Sequence, residues 1–467
     1  MGAPTADRSA PAFDALRSAH AMGEVLRDGA ASAAELAQRQ AQRLRALLDA
    51  ARRGSRLYAQ LHRGADAHTP LAALPAVTKP ALMQRFDDWV TDPALRLDTL
   101  RAFVADPDRA ADAWLGRYTV WESSGSSGEP GLFVEDPQAM AVYDALEWLR
   151  RARAPAGGWF DPLRLARRQA LVVATGGHFA SHVSLQRLRR LNPWLGATLR
   201  SFSILQPLDA LLAELQAWQP AVLATYPTAA SMLGDAVDAG ALRLTLAELD
   251  TGGETLGAAL RARLTRQFGC AVRDHYGASE FLSIGWECAQ GRLHLNTDWV
   301  ILEAVDARGH PVKAGQLSHT TLLTNLANLV QPLIRYDLGD RLRWCDAPCP
   351  CGSALPTAEV VGRCDDALRM RGDDGRRVTL LPLALTTVLE DDAGVFDFQL
   401  RQHDARTLAL RLGGEAARSA AARERCHRAL RAYAAAQGLR RLAIVDEPGH
   451  APAHGRSGKV QRVVAAR

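Results

Sequence analysis

The residues with the most evident chemical potential are Ser123-Ser124-Gly125-Ser126-Ser127-Gly128, followed by Glu129-Pro130-Gly131. Small residues let backbone N–H groups come close to an anion and hydroxyls add further donors, so the run is suited to holding phosphate oxygens. The same composition also describes a flexible linker. It is not a Walker loop, because no Gly-Lys-Ser/Thr follows. A second constellation is Cys288, His294, Cys349 and Cys351, a CX5H…CXC set. Three thiols and one imidazole match a closed tetrahedral zinc site, which leaves no position for water and therefore staples the chain rather than catalysing. Cys345 offers an alternative ligand, and unpaired thiols beside an incidental histidine are the plainer reading of the same residues.

Groups of this kind need a scaffold, and 467 residues with 48% hydrophobic content suffice for a large core and more than one domain. Leu, Ala and Arg recur with helical spacing from Ala31 to Arg53 behind a Ser32 cap, and Gln138 to Arg151 also reads as helix. Short apolar runs at Ala170–Thr175, Ala221–Thr225, Leu317–Thr324 and Leu442–Val445 suit buried strands. Strands alternating with helices predict an α/β architecture. The opening MGAPTADRSAPAF predicts a loose lead-in. Near Gly362 the run GRCDDALRMRGDDGRR suits an exposed linker or hinge, dividing the chain into residues 1–363 and a smaller unit, 364–467.

Residues 1–363 hold 38 Lys+Arg against 38 Asp+Glu, whereas residues 364–467 hold 18 against 13. The excess positive charge on the smaller unit could receive phosphates or an acidic protein, and an Arg-rich solvated helix face around Arg418–Arg431 accounts for it equally well. No run of eighteen apolar residues and no secretory h-region occur, and the seven cysteines are sparse, odd in number and clustered late. These features predict a cytoplasmic protein without membrane or nucleic-acid partners.

Several further motifs follow the Ser/Gly run in order: Gly252-Gly253-Glu254, His275-Tyr276-Gly277-Ala278-Ser279-Glu280, Tyr336-Asp337-Leu338-Gly339-Asp340, Gly362-Arg363-Cys364-Asp365-Asp366 and Arg456-Ser457-Gly458-Lys459. Together they resemble the phosphate loop, GGE, YGxTE, YRTGD, GRxDD and terminal GK elements of the adenylate-forming superfamily of acyl-CoA synthetases, luciferases and peptide-synthetase adenylation domains. Leu74-Pro75-Ala76-Val77-Thr78-Lys79 is similar to an early segment of the phenylacetate-CoA ligase branch, whose members carry a comparable Cys/His quartet. The resemblance implies a large multi-layer N-terminal domain, with mixed sheets flanked by helices, and a small mobile α+β C-terminal domain.

It also implies ATP-dependent conversion of a carboxylic acid to its acyl-AMP, then acyl transfer to a thiol, either CoA or carrier-protein phosphopantetheine. On that resemblance Ser123, Ser124, Gly125, Ser126, Ser127 and Gly128 hold the β and γ phosphates, and Glu280 binds Mg²⁺. Gly253, Glu254, Tyr276 and Gly277 lie about the adenine, while Asp340 and Arg363 reach the ribose. Lys459 is the catalytic cation and Asp365 the hinge. The acid pocket falls on Gly176, Gly177, His178, Phe179, Tyr226, Pro227, Gly253 and His275, where rings and imidazoles beside glycines suit a flat aromatic acid. Any one of these histidines would more ordinarily be a buried core residue. The chain departs from the family at Glu129, where a lysine is common, at Asp337-Leu338 in place of Arg-Thr, and in a longer RMRGDDGRRVTLLP segment. A transferase that leaves AMP on an acid or phenol, and a non-catalytic binding protein on the same fold, are the competing readings.

Overall fold

The computed structural model describes residues 13–66, 69–123, 130–151, 167–363, 368–375, 377–380, 382–448 and 462–465. The expected lead-in therefore lies almost wholly outside the described residues, as do Ser124–Gly128, Asp365 and Lys459. Two helices open the described chain, α1 (Ala15–Gly29) and α2 (Ala33–Gly54). The second begins at the expected cap: the Glu35 N–H donates to Ser32 Oγ at 3.3 Å and the Ser32 N–H to Glu35 Oε2 at 2.8 Å, a reciprocal box that satisfies two terminal donors. Both helices are pinned to the body by a buried ion network. Asp28 takes Arg39 and Arg43, the Arg43 guanidinium lies 3.5 Å from the Trp299 ring centroid, and Arg150 grips Asp298 through two bonds of 2.7 and 2.6 Å. Such a network holds together only while every member is present, because removing one partner strands a buried charge.

Strands β1 (Thr119–Glu122) and β2 (Leu132–Glu135) form a hairpin registered Thr119↔Glu135 to Glu122↔Leu132. Helix α3 (Pro137–Leu146) follows, capped by Asp136 on the Ala139 N–H at 2.8 Å; the expected helix to Arg151 continues as a π-turn from Glu147. At the end of β2, Glu135 is buried, accepting from Asn328 Nδ2 at 2.8 Å and from the Tyr143 hydroxyl, which itself accepts from Asn325. Burial, then the neighbouring Asp136 carboxylate, raises Glu135 well above the ordinary carboxylate range. With the folded value above the unfolded one, the folded chain holds a proton the unfolded chain has lost, so stability present at acid pH declines as pH rises toward the folded value. Glu135→Gln is expected to remove that slope: the variant's melting temperature, relative to wild type, should rise steadily from pH 5 to pH 8. A constant difference would contradict a protonated Glu135.

The central element is a seven-stranded sheet made of β3 (Gln169–Val173), β4 (Leu199–Ser203), β5 (Val222–Thr225), β6 (Glu248–Gly252), β7 (Ala271–Ala278), β8 (Phe281–Glu287) and β9 (Leu293–Leu295), in spatial order β4-β3-β5-β6-β7-β8-β9. The first five are parallel neighbours and β8 and β9 continue antiparallel. Between these strands run α4 (Ala180–Leu191), α5 (Leu208–Trp218), α6 (Pro227–Asp238) and α7 (Ala258–Phe268). Leu211, Leu215, Leu233, Leu260 and Leu264 of α5 to α7 pack on Ala170, Val172, Leu223 and Leu249 of the sheet. That placement explains why the expected strands at 170–175 and 221–225 read as unbroken apolar runs.

A three-stranded sheet follows, β10 (Val300–Val305), β11 (Thr320–Asn325) and β12 (Tyr336–Asp337), then the pair β13 (Asp340–Trp344) and β14 (Ala358–Arg363). The run from Leu317 enters β11 only at Thr320, because Leu317 and Ser318 first pair across to Arg343 and Leu342. After β14 a separate core begins. Leu368, Met370 and Leu380 from the hairpin β15 (Leu368–Arg371) and β16 (Arg377–Leu380) join residues of the sheet β17 (Phe398–Gln402), β18 (Thr407–Leu412), β19 (Ala443–Asp446) and β20 (Val463–Val464), ordered β19-β18-β17-β20, and of α8 (Ala420–Ala436). Much of the segment expected to be an exposed linker is thus a packed hairpin: Arg369 and Arg371 face outward while Leu368 and Met370 are buried, an alternation hidden by the density of charge. Among the described residues no helix is long and apolar enough to cross a membrane.

Candidate active site

The hairpin β1/β2 presents the Ser/Gly loop, and its base is closed by Ser123 itself. The Ser123 N–H donates to the Gly131 carbonyl and the Gly131 N–H to Ser123 Oγ, each at 2.8 Å. Trp121 Nε1 donates to the Ser279 carbonyl at 2.9 Å and the Glu122 N–H to the His178 carbonyl at 2.7 Å, so the hairpin is tied to two other motif segments. A Cβ on Gly131 would meet Lys79 Cδ at 3.1 Å. Lys79, at the start of the helix Lys79–Gln84, therefore lays its stem against Gly131 at the base of the hairpin. In the sequence Lys79 stands only as the end of the Leu74–Lys79 segment, and nothing local marks it as a neighbour of Gly131.

Two motifs interlock through tyrosines. Tyr276 donates its hydroxyl to Asp340 Oδ2 at 2.6 Å, and Tyr336 donates to Glu280 Oε1 at 2.7 Å. The segment 275–280 thus supplies a tyrosine to the carboxylate of 336–340 and receives one in return. Both carboxylates are 9% exposed, enclosed yet reachable. Gly277 is required here, since a Cβ would fall 2.0 Å from the Leu282 carbonyl oxygen at the β7–β8 bulge. Asn325 Nδ2 further fixes the Glu280 carbonyl at 3.1 Å. Arg363 lies across from Asp340 in the β13/β14 register.

The Gly252-Gly253-Glu254 turn leaves β6 with Gly253 at φ +78°, a conformation that favours glycine. Glu254 accepts from the Thr228 N–H at 3.1 Å and from Thr228 Oγ1 at 2.8 Å, capping the first turn of α6. That cap fixes Tyr226 and Pro227 against the turn. Tyr226 is buried on Val173 and Ala229, and burial followed by the Glu254 charge raises its hydroxyl well above the ordinary tyrosine range. His275, paired with Gly252 across β6 and β7, points Nε2 at Asp250 Oδ1, 3.4 Å away. Beneath it Asp274, bonded by Thr251 Oγ1 at 3.0 Å, is pushed up to about 7 by burial.

The expected pocket residues divide by setting. Phe179 is mostly buried, with its ring 3.2 Å from where a Gly177 side chain would begin, so Gly177 keeps space in front of that ring. His178 is fully buried, edge-on to Phe103 at 5.1 Å, with Nε2 2.8 Å from the Asp106 carbonyl. This is a core setting, and the glycines preceding it give no sign of the direction in which it turns. Gly177 and Phe179 follow β3 and Tyr226 directly follows β5, at the C-terminal edge where open α/β sheets bind ligands, and His275 lies within β7 opposite Gly252, the last residue of β6.

The Cys/His quartet does assemble. The side-chain donor atoms of Cys288, His294, Cys349 and Cys351 all lie within 4.8 Å of one another, with Cys288 Sγ 3.4 Å from Cys349 Sγ and Cys351 Sγ 3.2 Å from His294 Nε2. His294 Nδ1 lies 2.8 Å from the Leu355 carbonyl, an outer bond that leaves Nε2 for a metal. Donor type, number and convergence all fit zinc.

No family model matches the chain, and no curated protein matches it in sequence. Solved structures do. The chain is similar to 2-hydroxyisobutyryl-CoA ligase in the postadenylation state in complex with R3-HIB-AMP, with a TM-score of 0.66 at 18% identity, covering 100% of this chain and 94% of that one. It is similar to the same ligase in complex with 2-HIB-AMP and CoA in the thioesterification state, with a TM-score of 0.58 at 22% identity, covering 94% and 91%. An anthranilate CoA ligase in complex with anthranoyl-AMP gives 0.54 at 16%, covering 73% and 64%. The chain has the fold of the adenylate-forming CoA ligases.

Proposed function

We propose that this protein is an ATP-dependent acid–thiol ligase that activates a carboxylic acid, aromatic in our reading, as its acyl-AMP and transfers the acyl group to CoA or to the phosphopantetheine of a carrier protein. The observation that carries the reading is the reciprocal pairing Tyr276–Asp340 and Tyr336–Glu280 beside a hairpin that presents a Ser/Gly loop. In the reaction, a carboxylate oxygen of the acid attacks the α-phosphorus of ATP, the bond to the bridging oxygen breaks, and pyrophosphate leaves. Ser123, Ser124, Gly125, Ser126, Ser127 and Gly128 hold the departing phosphates. Gly253, Glu254, Tyr276 and Gly277 enclose the adenine, Asp340 accepts from the ribose hydroxyls, and Arg363 supports the same sugar. Glu280 offers hard carboxylate oxygen suited to Mg²⁺, which when bound would neutralise phosphate charge. Lys459, on the unit 364–467, serves acyl-AMP formation, and rotation about Asp365 then exchanges it for the thiol, whose sulfur attacks the acyl carbonyl and displaces AMP.

The acid is the finer part of the reading. We place it at Gly177, Phe179, Tyr226 and His275, where the missing Gly177 side chain leaves the Phe179 ring uncovered and His275 contributes an imidazole. The similar structures carry both an aliphatic hydroxy-acyl and an anthranoyl adenylate, so the deciding experiment is acid-dependent pyrophosphate exchange across benzoates, arylacetates and short hydroxy acids, followed by CoA or holo carrier protein. Exchange strongest with an aromatic acid, and thioester formation with one acceptor, is expected. Exchange with no acid would overturn the ligase reading; stable AMP–product without thiol dependence would make the protein an adenylyltransferase instead. A cytoplasmic setting is part of the proposal.

Zinc in the Cys288, His294, Cys349 and Cys351 site would be structural, joining the β8–β9 turn to the 345–352 loop. Elemental analysis should find about one zinc per chain. Chelation should release it and lower the melting temperature, and Cys349→Ser should reproduce the shift. Metal-free protein that melts unchanged in chelator would remove the site.

A further inference from the structure

Among the described residues, two contacts join the C-terminal unit to α7 of the sheet-bearing body. Glu390, in the turn Val388–Asp392, is 2% exposed. A Cβ on Gly257 would come within 2.5 Å of Glu390 Oε2, so the carboxylate sits directly on the residue that caps the N-terminus of α7. That oxygen has no hydrogen-bond partner among the described residues, while Oε1 is paired with Arg462. A buried carboxylate whose second oxygen faces the positive end of an eleven-residue helix is placed for electrostatic seating. Further along the same helix, the Arg263 guanidinium lies 4.5 Å from the ring centroid of Phe396, and Phe396 packs on the core formed by α5 to α7. Arg263 is held from its own side by Asp235 and by Ser231 Oγ at 3.4 Å.

Arg462 gives this contact its consequence. It lies three residues after Lys459, its carbonyl accepts from the Leu400 N–H at 2.7 Å, and its guanidinium covers the Phe398 ring. The strand segment that follows the lysine is therefore joined, through one ion pair, to the carboxylate seated on α7. We propose that Glu390 on Gly257 and Phe396 on Arg263 form a latch that docks the C-terminal unit for acyl-AMP formation and must open for thiol transfer. The four are positioning residues, and the inference rests on the ligase reading above.

Arg263→Met and Gly257→Ala should each slow acid-dependent pyrophosphate exchange about 5- to 30-fold. Thioester formation from presynthesised acyl-AMP should be unchanged or faster, because the docked state no longer competes. A merely structural contact would depress both half-reactions together and lower the melting temperature, and that result would overturn the latch. A double-cysteine variant, Arg263→Cys with Phe396→Cys, supplies a readout independent of substrate. A short bis-maleimide bridging the two thiols, which a guanidinium-to-ring contact does not bring close enough for a direct disulfide, should cross-link the units in the resting protein, as mass spectrometry would show, and block thioester formation; no cross-link, or undiminished thioester formation with the link intact, would also overturn the latch. If the parent protein shows no exchange with any acid, the ligase reading itself fails. If the parent exchanges but the variants keep its ratio of half-reactions, the latch alone fails.

Discussion

Lys459→Ala is expected to lower acid-dependent pyrophosphate exchange by about 10²–10³-fold and to leave thioester formation from presynthesised acyl-AMP near the wild-type rate. The reason is electrostatic: an anionic carboxylate must approach an α-phosphate that itself carries charge, and a single well-placed ammonium offsets the repulsion between them as the pentacoordinate state forms. The chain is otherwise rich in arginine, so a lysine between Gly458 and the Val460-Gln461-Arg462 run is a distinctive choice. A compact ammonium on a flexible stem can reach a crowded phosphate where a planar guanidinium would not fit, so Lys459→Arg should recover little of the loss. Glu390 and Arg462 supply the anchorage for this stretch, and the latch variants should therefore weaken adenylation by less than Lys459→Ala while sharing its selectivity for the first half-reaction. Equal loss in both half-reactions for Lys459→Ala would refute the assignment.

Much of this arrangement was legible in the order of residues, because the informative features are local. The Ser32 cap with Glu35, the apolar runs of β3, β5 and β19, and the glycines at 253 and 277 each depend on neighbours within a few positions. What could not be read depends on encounters across long stretches of chain. Nothing within 275–280 announces that its tyrosine will serve Asp340, 64 positions away, or that its glutamate will be served by Tyr336. Glu254 reads as a ligand-facing motif residue, yet its carboxylate is engaged in capping α6, and this contact is what positions the Tyr226-Pro227 turn. His178 shows the converse: its sequence setting suits a pocket, but the 2.8 Å contact with the Asp106 carbonyl and the Phe103 ring hold it in the core. The hairpin 368–380 was concealed for a different reason. Its outward arginines and aspartates dominate the composition, while the burial that defines it rests on Leu368, Met370 and Leu380 alone.

Replacing Asp340 should separate nucleotide recognition from ring orientation. Its carboxylate accepts from the Tyr276 hydroxyl at 2.6 Å and, with several lone-pair positions available to a carboxylate, can accept from a ribose as well. Hydrogen bonds to a charged group are worth about 1.5–3 kcal/mol each, so Asp340→Ala, which loses a ribose pair, should reduce kcat/KM for ATP by about 10²–10⁴-fold. Tyr276→Phe keeps the carboxylate and the aromatic face, and removes only the strut between them; its loss should stay within about tenfold. Asp340→Asn should fall between, because a neutral amide oxygen still accepts from the tyrosine but binds ribose hydroxyls more weakly. The graded order Ala, Asn, then Phe at 276 is the signature of a carboxylate that touches nucleotide. Were Tyr276→Phe as damaging as Asp340→Ala, with both variants retaining the wild-type KM for ATP, Asp340 would act only by aiming the tyrosine, and the ribose contact would have to be sought at Arg363, its partner across β13 and β14.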